Sequence, residues 1–210
     1  MRLPLVLLLI AGLAGCSSSD EDTSAEITEE GVDVANNPLG ALGALASAGE
    51  DLQKLQEELA NMPAVEAIHF SELIKALPDP PSGWTADDPR GSTNQMGDYK
   101  MSQAGRNYRR EGSDEQVSVE INDWAYNQAI YIPFIMQARF SSETTEGYSK
   151  GIKLGESPGR EEYTTSSRSG SRAALVHKRF HVKVDINSLG PEAFDEWWPL
   201  VKISELPASP

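Results

Sequence analysis

Ala174-Leu175-Val176-His177-Lys178-Arg179-Phe180-His181-Val182-Lys183-Val184-Asp185-Ile186 is the stretch whose reading sets the fold class. Ala174, Val176, Phe180, Val182, Val184 and Ile186 fall on one side of a period-two alternation that only Lys178 interrupts, while His177, Arg179, His181, Lys183 and Asp185 fall on the other. Successive side chains of a strand point to opposite faces, so the stretch reads as a strand with one face in a core and one in water. Upstream, Val117, Val119 and Ile121 alternate with Ser118, Glu120 and Asn122 in the same way. Residues 99–110 are a further strand candidate, and Gly155-Glu156-Ser157-Pro158-Gly159 reads as a hairpin turn between 150–154 and 160–165.

Helical spacing appears around these strands. Phe70-Ser71-Glu72-Leu73-Ile74-Lys75-Ala76-Leu77 suits a short helix stopped by Pro78, Pro80 and Pro81, after which Trp84 folds back onto the core. Residues 125–140 place Tyr126, Ile130 and Phe134 at four-residue spacing, with Pro133 implying a kink or a late start. After Gly190, Pro191 suits a first helical position, and Phe194, Trp197, Trp198 and Val201 follow the i, i+3, i+4, i+7 pattern up to a break at Pro199. The class expected is α+β: an antiparallel sheet of about five or six strands with helices packed on one face, preceded by a disordered tether and a short helix.

The amino-terminal region carries an address. Met1 and Arg2 supply a positive start, an apolar run from Leu3 to Leu13 follows, and Ala14-Gly15 bring small residues up to Cys16. A bilayer-spanning helix needs about 20 apolar residues, so the run reads as a signal segment and not as an anchor. Leu13-Ala14-Gly15-Cys16 resembles the lipobox of bacterial lipoproteins. That resemblance implies cleavage ahead of Cys16, acylation of its thiol, and an extracytoplasmic protein held on a membrane by its acyl chains. Ser17 in place of Asp would favour the outer membrane of a double-membraned cell, facing the periplasm or the cell surface.

Charge divides the rest of the chain. The formal net charge is -14, and from Ser17 to Met62 eleven acids face the single base Lys54. Such a chain is a poor ligand for nucleic acid or anionic lipid. The stretch 17–37 has few large apolar residues and is expected to be disordered; the whole segment, if flexible, would span about 40 Å. Residues 50–60 combine strong helix formers with a stripe of Leu52, Leu55, Leu59 and Met62, so a helix is expected there. The division expected is a signal peptide at 1–15, a lipidated tether with a helix at 16–62, and one α+β domain at 63–210.

Leu73-Ile74-Lys75-Ala76-Leu77-Pro78, Gly83-Trp84, Met101-Ser102-Gln103-Ala104 ahead of Tyr108, Val119-Glu120-Ile121-Asn122-Asp123 and Arg179-Phe180-His181-Val182-Lys183-Val184 come in an order that resembles a group of bacterial envelope lipoprotein domains. The resemblance covers most of 65–206, and it implies no catalytic residues, because those domains carry no assigned activity.

Motifs of catalysis are scarce. A nucleophile elbow, His-Glu-x-x-His, a phosphate-binding glycine loop and a calcium loop are all missing; Gly155-Glu156-Ser157-Pro158-Gly159 has the Gly-x-Ser-x-Gly spacing but reads as a hairpin turn between strands, not as a strand-to-helix elbow. His177 and His181 on a strand stand about 13 Å apart, too far to share one ion. With Cys16 committed to lipid no thiol remains, and neither a metal nor a cofactor is expected. His177, Arg179, His181 and Lys183 form a cationic stripe that is either the solvated side of the strand or a surface for an anionic ligand, an envelope glycan or a partner protein. His69 is expected to be a packing residue. Asp123, Glu161, Glu162 and Asp185 would serve an envelope hydrolase only if two of them converge at about 5 to 10 Å. Core packing is the expected role of the tryptophans; the alternative is that Trp124 and one of the adjacent Trp197 and Trp198 line a groove, since neighbours on a helix do not both face fully inward. The function expected is a membrane-tethered, non-enzymatic binding or accessory domain, with a hydrolase or a carrier of a small apolar ligand as alternatives.

Overall fold

The computed structural model describes residues 32–33, 53–54, 57, 61, 65–97, 99–125 and 127–208. The expected signal segment, Cys16 and nearly all of the expected acidic tether therefore lie outside the described residues. Within the expected 50–60 helix and just beyond it, the described positions Gln53, Lys54, Glu57 and Asn61 are helical and exposed.

The body is mostly β. Helix α1 (Phe70–Lys75) is followed by β1 (Trp84–Ala86), β2 (Arg90–Met96), β3 (Tyr99–Arg110) and β4 (Gln116–Asp123). Helix α2 (Gln128–Gln137) leads to β5 (Phe140–Thr144), β6 (Gly147–Leu154), β7 (Ser157–Thr164), β8 (Ser169–Val176) and β9 (Phe180–Asn187). Helix α3 (Ala193–Trp197) and two single 3-10 turns end the described chain. The nine strands form one open antiparallel sheet in the order β5-β6-β7-β8-β9-β4-β3, with β1 and β2 sharing the outer side of β3. Beyond β5, Val32–Asp33 adds a two-residue parallel bridge to Phe140 and Ser141.

Two antiparallel runs meet at one seam. From β4 the chain crosses to the far edge through α2, returns strand by strand, and closes when β9 pairs along the full length of β4, from Phe180 opposite Asp123 to Asn187 opposite Gln116.

The decisive stretch departs from its reading. It is not one strand but the hairpin of β8 and β9, with His177, Lys178 and Arg179 as the loop between the paired Val176 and Phe180. His177 and Lys178 both adopt positive φ, +52° and +53°, and the Arg179 amide donates to the Val176 carbonyl at 3.0 Å. Two left-handed residues give the twist that a tight hairpin needs. The alternation survives on both sides because the loop holds an odd number of residues, and Lys178 sits at the tip instead of interrupting a core.

The inner face of the sheet is the main core. Val117, Val119 and Ile121 of β4, Ala174 and Val176 of β8, and Phe180, Val182, Val184 and Ile186 of β9 pack with Leu73, Leu77, Phe194, Trp197 and Val201. Trp84 returns to this core edge-on to Trp197, with ring centroids 4.9 Å apart. The Tyr108 hydroxyl donates to the Pro78 carbonyl at 2.7 Å, which ties the proline turn to the sheet. Trp197 and Trp198 are both buried, as core packing of the aromatics implies, and neither ring lines a groove. Helix α3 ends at Trp197 and Trp198 opens the 3-10 turn that follows, so the two rings are not neighbours on one continuous helix; the turn after them is joined to α1 by the Lys202 amide donating to the Ala76 carbonyl at 2.9 Å.

Helices are not confined to one face. While α1 and α3 cover the inner face, α2 lies on the outer one, where Tyr131 and Ile135 pack on Leu175, whose side chain points away from Ala174 and Val176. The sheet also has more strands than expected. The short strand β1 and the sequences Arg-Gly-Ser-Thr-Asn-Gln-Met of β2 and Phe-Ser-Ser-Glu-Thr of β5 carry no clear apolar alternation, and these strands are held by backbone pairing to a neighbour.

Candidate functional site

The four residues expected as a cationic stripe are dispersed. His177 lies in the hairpin loop with its Nδ1 2.9 Å from the Pro207 carbonyl. Arg179 is buried. Lys183, half-buried on the outer face, pairs with Asp185 at 2.8 Å. His181 is held under α2, stacked on Trp124 with ring centroids 4.5 Å apart and 10° between planes, and meeting Phe134 edge-on at 5.1 Å. Burial pushes its imidazole down to a pKa of about 4, with the Lys183 charge adding to the effect. Its Nδ1 is the one buried side-chain polar atom among the described residues that has no hydrogen-bond partner. His69 is exposed and caps α1, accepting from the Ser71 amide at 3.3 Å, instead of packing in a core.

The carboxylates do not converge on a cleft. Asp123 is fully buried and accepts four hydrogen bonds: Arg179 Nε at 2.8 Å, Arg179 Nη2 at 2.7 Å, the Ile68 amide at 2.8 Å and the Ala125 amide at 2.9 Å. Glu161 is nearly as buried and accepts from the Tyr148 hydroxyl at 2.6 Å and Arg172 Nε at 2.5 Å, with Lys150 Nζ at 3.4 Å. Burial, then the bond to Glu161, pushes the Tyr148 hydroxyl far up, so it stays protonated as the donor. Glu162 is exposed beside Arg160, and Asp185 is taken by Lys183. Asp123 and Glu161, buried and paired with arginines, hold the fold, while Glu162 and Asp185 stand at the surface.

What the outer face does assemble is a furrow. Ser92, Gln103, Asn122, His181 and Leu175 stand opposite one another in register across β2, β3, β4, β9 and β8, a single row that starts in solvent and ends under α2. A hollow of about 190 Å³ lies along this row, lined by Asn94, Met101, Ser102, Gln103, Asn122, Trp124 and Ile130. A second of about 160 Å³ adjoins it at Gln103 and runs past Ser92 and Gly105 to Arg90 and Glu120. No lining residue of the first hollow is charged, on a chain with a net charge of -14. Its amides are partly pre-set: Asn122 Nδ2 donates to Glu120 at 2.8 Å and Asn94 Nδ2 to Ser92 at 3.1 Å.

Asp123 positions this wall. Its bond to the Ala125 amide holds the turn where Ala125 takes a φ of +46°, and that turn carries Trp124 to the rim and starts the crossover into α2. Sequence reasoning had Trp124 as a groove candidate but not Ser92, Asn94, Gln103 or Asn122. Isolated amides and hydroxyls on polar strands carry no signature, and only the register brings them together.

No group of three or more potential metal ligands occurs among the described residues, and no described helix is long and apolar enough to cross a membrane. Compared with known proteins, the chain matches no family model, no curated protein and no solved structure.

Proposed function

We propose that the protein is a lipoprotein held outside the cytoplasm by acyl chains on Cys16, and that its domain is a non-enzymatic binding module whose outer furrow takes an uncharged glycan of the cell envelope. The observation that carries the ligand class is the first hollow: the amides of Asn94, Gln103 and Asn122, Ser102 and Trp124, beside the apolar Met101 and Ile130, with no charge among them. Planar amides match vicinal hydroxyl groups as donor and acceptor together, an aromatic ring offers an apolar surface to a sugar face, and a charged lining would select another ligand. The shape is an open furrow, which suits a chain lying along the sheet.

The test is a nuclear magnetic resonance titration of the detergent-solubilised chain with two soluble probes, chitotetraose and maltotetraose. Shifts confined to Ser92, Asn94, Gln103, Asn122 and Trp124 are expected with at least one of them, weakened about tenfold or more by Gln103→Ala. Shifts with neither probe would overturn the glycan reading.

A further inference from the structure

We propose that His181 is a proton-operated latch that holds α2 against the sheet, so that acidification lifts the helix and takes down one wall of the furrow. The geometry carries the proposal. His181 is the contact between β9 and the α2 crossover, its ring stacked on Trp124 and met edge-on by Phe134, with Nδ1 buried and unpartnered. A neutral imidazole tolerates that site; an imidazolium must bring a second N–H, and its charge, to water.

The surroundings decide the direction. On its own strand Lys183 and Asp185 share the outer face, and across the seam β4 presents Glu120 and Asn122. From β8 the neighbours are Leu175 and Ala173, and α2, Gln-Ala-Ile-Tyr-Ile-Pro-Phe-Ile-Met-Gln, offers no charge at all. Glu120 and Asp185 favour the proton, Lys183 opposes it, and burial outweighs both carboxylates, so the docked state prefers the neutral ring. A histidine whose folded pKa falls from 6.5 to about 4 stabilises docking fully above the upper value and loses that contribution as pH drops between the two. The docking equilibrium then weakens by up to about 20-fold between about pH 7 and about pH 5.

The helix yields before the sheet does. Its buried contacts are Tyr131 and Ile135 on Leu175, with Val65, Trp124, Ile132 and Phe134 partly buried around them, whereas the inner core spans four strands and both other helices. Local opening takes the route that exposes least apolar surface, and lifting α2 hydrates His181 without breaking the β4–β9 ladder. Because Trp124 and Ile130 line the larger hollow, a ligand held there would be released in acid; that consequence, unlike the latch, rests on the binding reading above.

Hydrogen exchange of the full chain in detergent micelles, corrected for intrinsic rates, reads the latch without any ligand. Amides of 131–138 should lose protection by about 10- to 20-fold between about pH 7 and about pH 5 while those of β4 and β9 hold theirs. His181→Phe, which keeps a ring in the sandwich but cannot be protonated, should abolish the difference. Equal protection at the two pH values, or a Phe variant that follows the wild type, overturns the latch. Should that variant fail to fold, direct titration of the imidazole in the wild type decides: a midpoint near 4 supports the latch and one at or above about 6.5 overturns it. Failure of both glycan probes to bind would overturn the ligand and leave these outcomes unchanged.

Discussion

Asp123 joins three parts of the chain that are distant in sequence. Its carboxylate holds Arg179 of the β8–β9 loop, the Ile68 amide ahead of α1, and the Ala125 amide at the entry to α2, while Arg179 Nη2 donates onward to the Glu66 carbonyl at 2.9 Å. Removing the guanidinium leaves a buried carboxylate with only backbone donors, the situation in which a lost partner costs most. Arg179→Ala should therefore destabilise the domain by about 3–5 kcal/mol in urea unfolding, and Arg179→Lys by less, because the charge stays but the two-pronged fit is lost. A loss below about 1 kcal/mol for the alanine variant would show that the pair contributes little. None of this was legible beforehand. Arg179 and Asp123 are 56 residues apart, and extending the alternation through His177 and Lys178 turned a buried arginine into a wet one. A hairpin loop with neither Gly nor Asn at its positive-φ positions gives no local warning.

The elements that sequence identified are those with a face to bury. The Val117-Val119-Ile121 strand stands where its alternation put it and the 99–110 candidate is a strand, while the carboxy-terminal aromatic helix ends at Trp197, short of Trp198 and Val201, and the turn at Gly155 narrows to Gly155-Glu156 between Leu154 and Ser157. The side of the sheet taken by each helix was not readable, because α2 is apolar on nearly every side and periodicity then points nowhere. Its seat is marked on the sheet instead, at Gly151: a Cβ there would collide with the Ala138 carbonyl at the end of the helix, a backbone atom that cannot step aside. Gly151→Ala should lift that end of α2, costing about 1–3 kcal/mol and raising exchange in 131–138 at neutral pH. Gly105→Ala is the matched control, since its new methyl would meet nothing nearer than the Val119 carbonyl at 3.3 Å. Equal effects from the two substitutions would contradict the docking geometry.

At the scale of the whole molecule the chain pairs an acidic leader with a nearly balanced body. Eleven of the thirty-two acids lie between Ser17 and Met62 against one base, so on the proposed reading the segment next to the bilayer is the most negative part of the protein. Anionic lipid repels such a segment, and salt screens that repulsion, so added salt should not loosen the protein from membranes. Retention then depends on the acyl chains alone, at about 0.8 kcal/mol per buried methylene, with more than one chain needed for a stable hold. Two treatments separate the forces: washing membranes with about 1 M salt should leave the wild type in place, and detergent should release it. Cys16→Ala should then appear wholly in the soluble fraction if signal cleavage still occurs, or as an unprocessed, unacylated precursor if it does not; mass spectrometry of the amino-terminal peptide distinguishes the two. A Cys16→Ala protein that is processed normally yet stays on the membrane, or a wild type that salt removes, would show that something other than lipid on this sulfur holds the domain there.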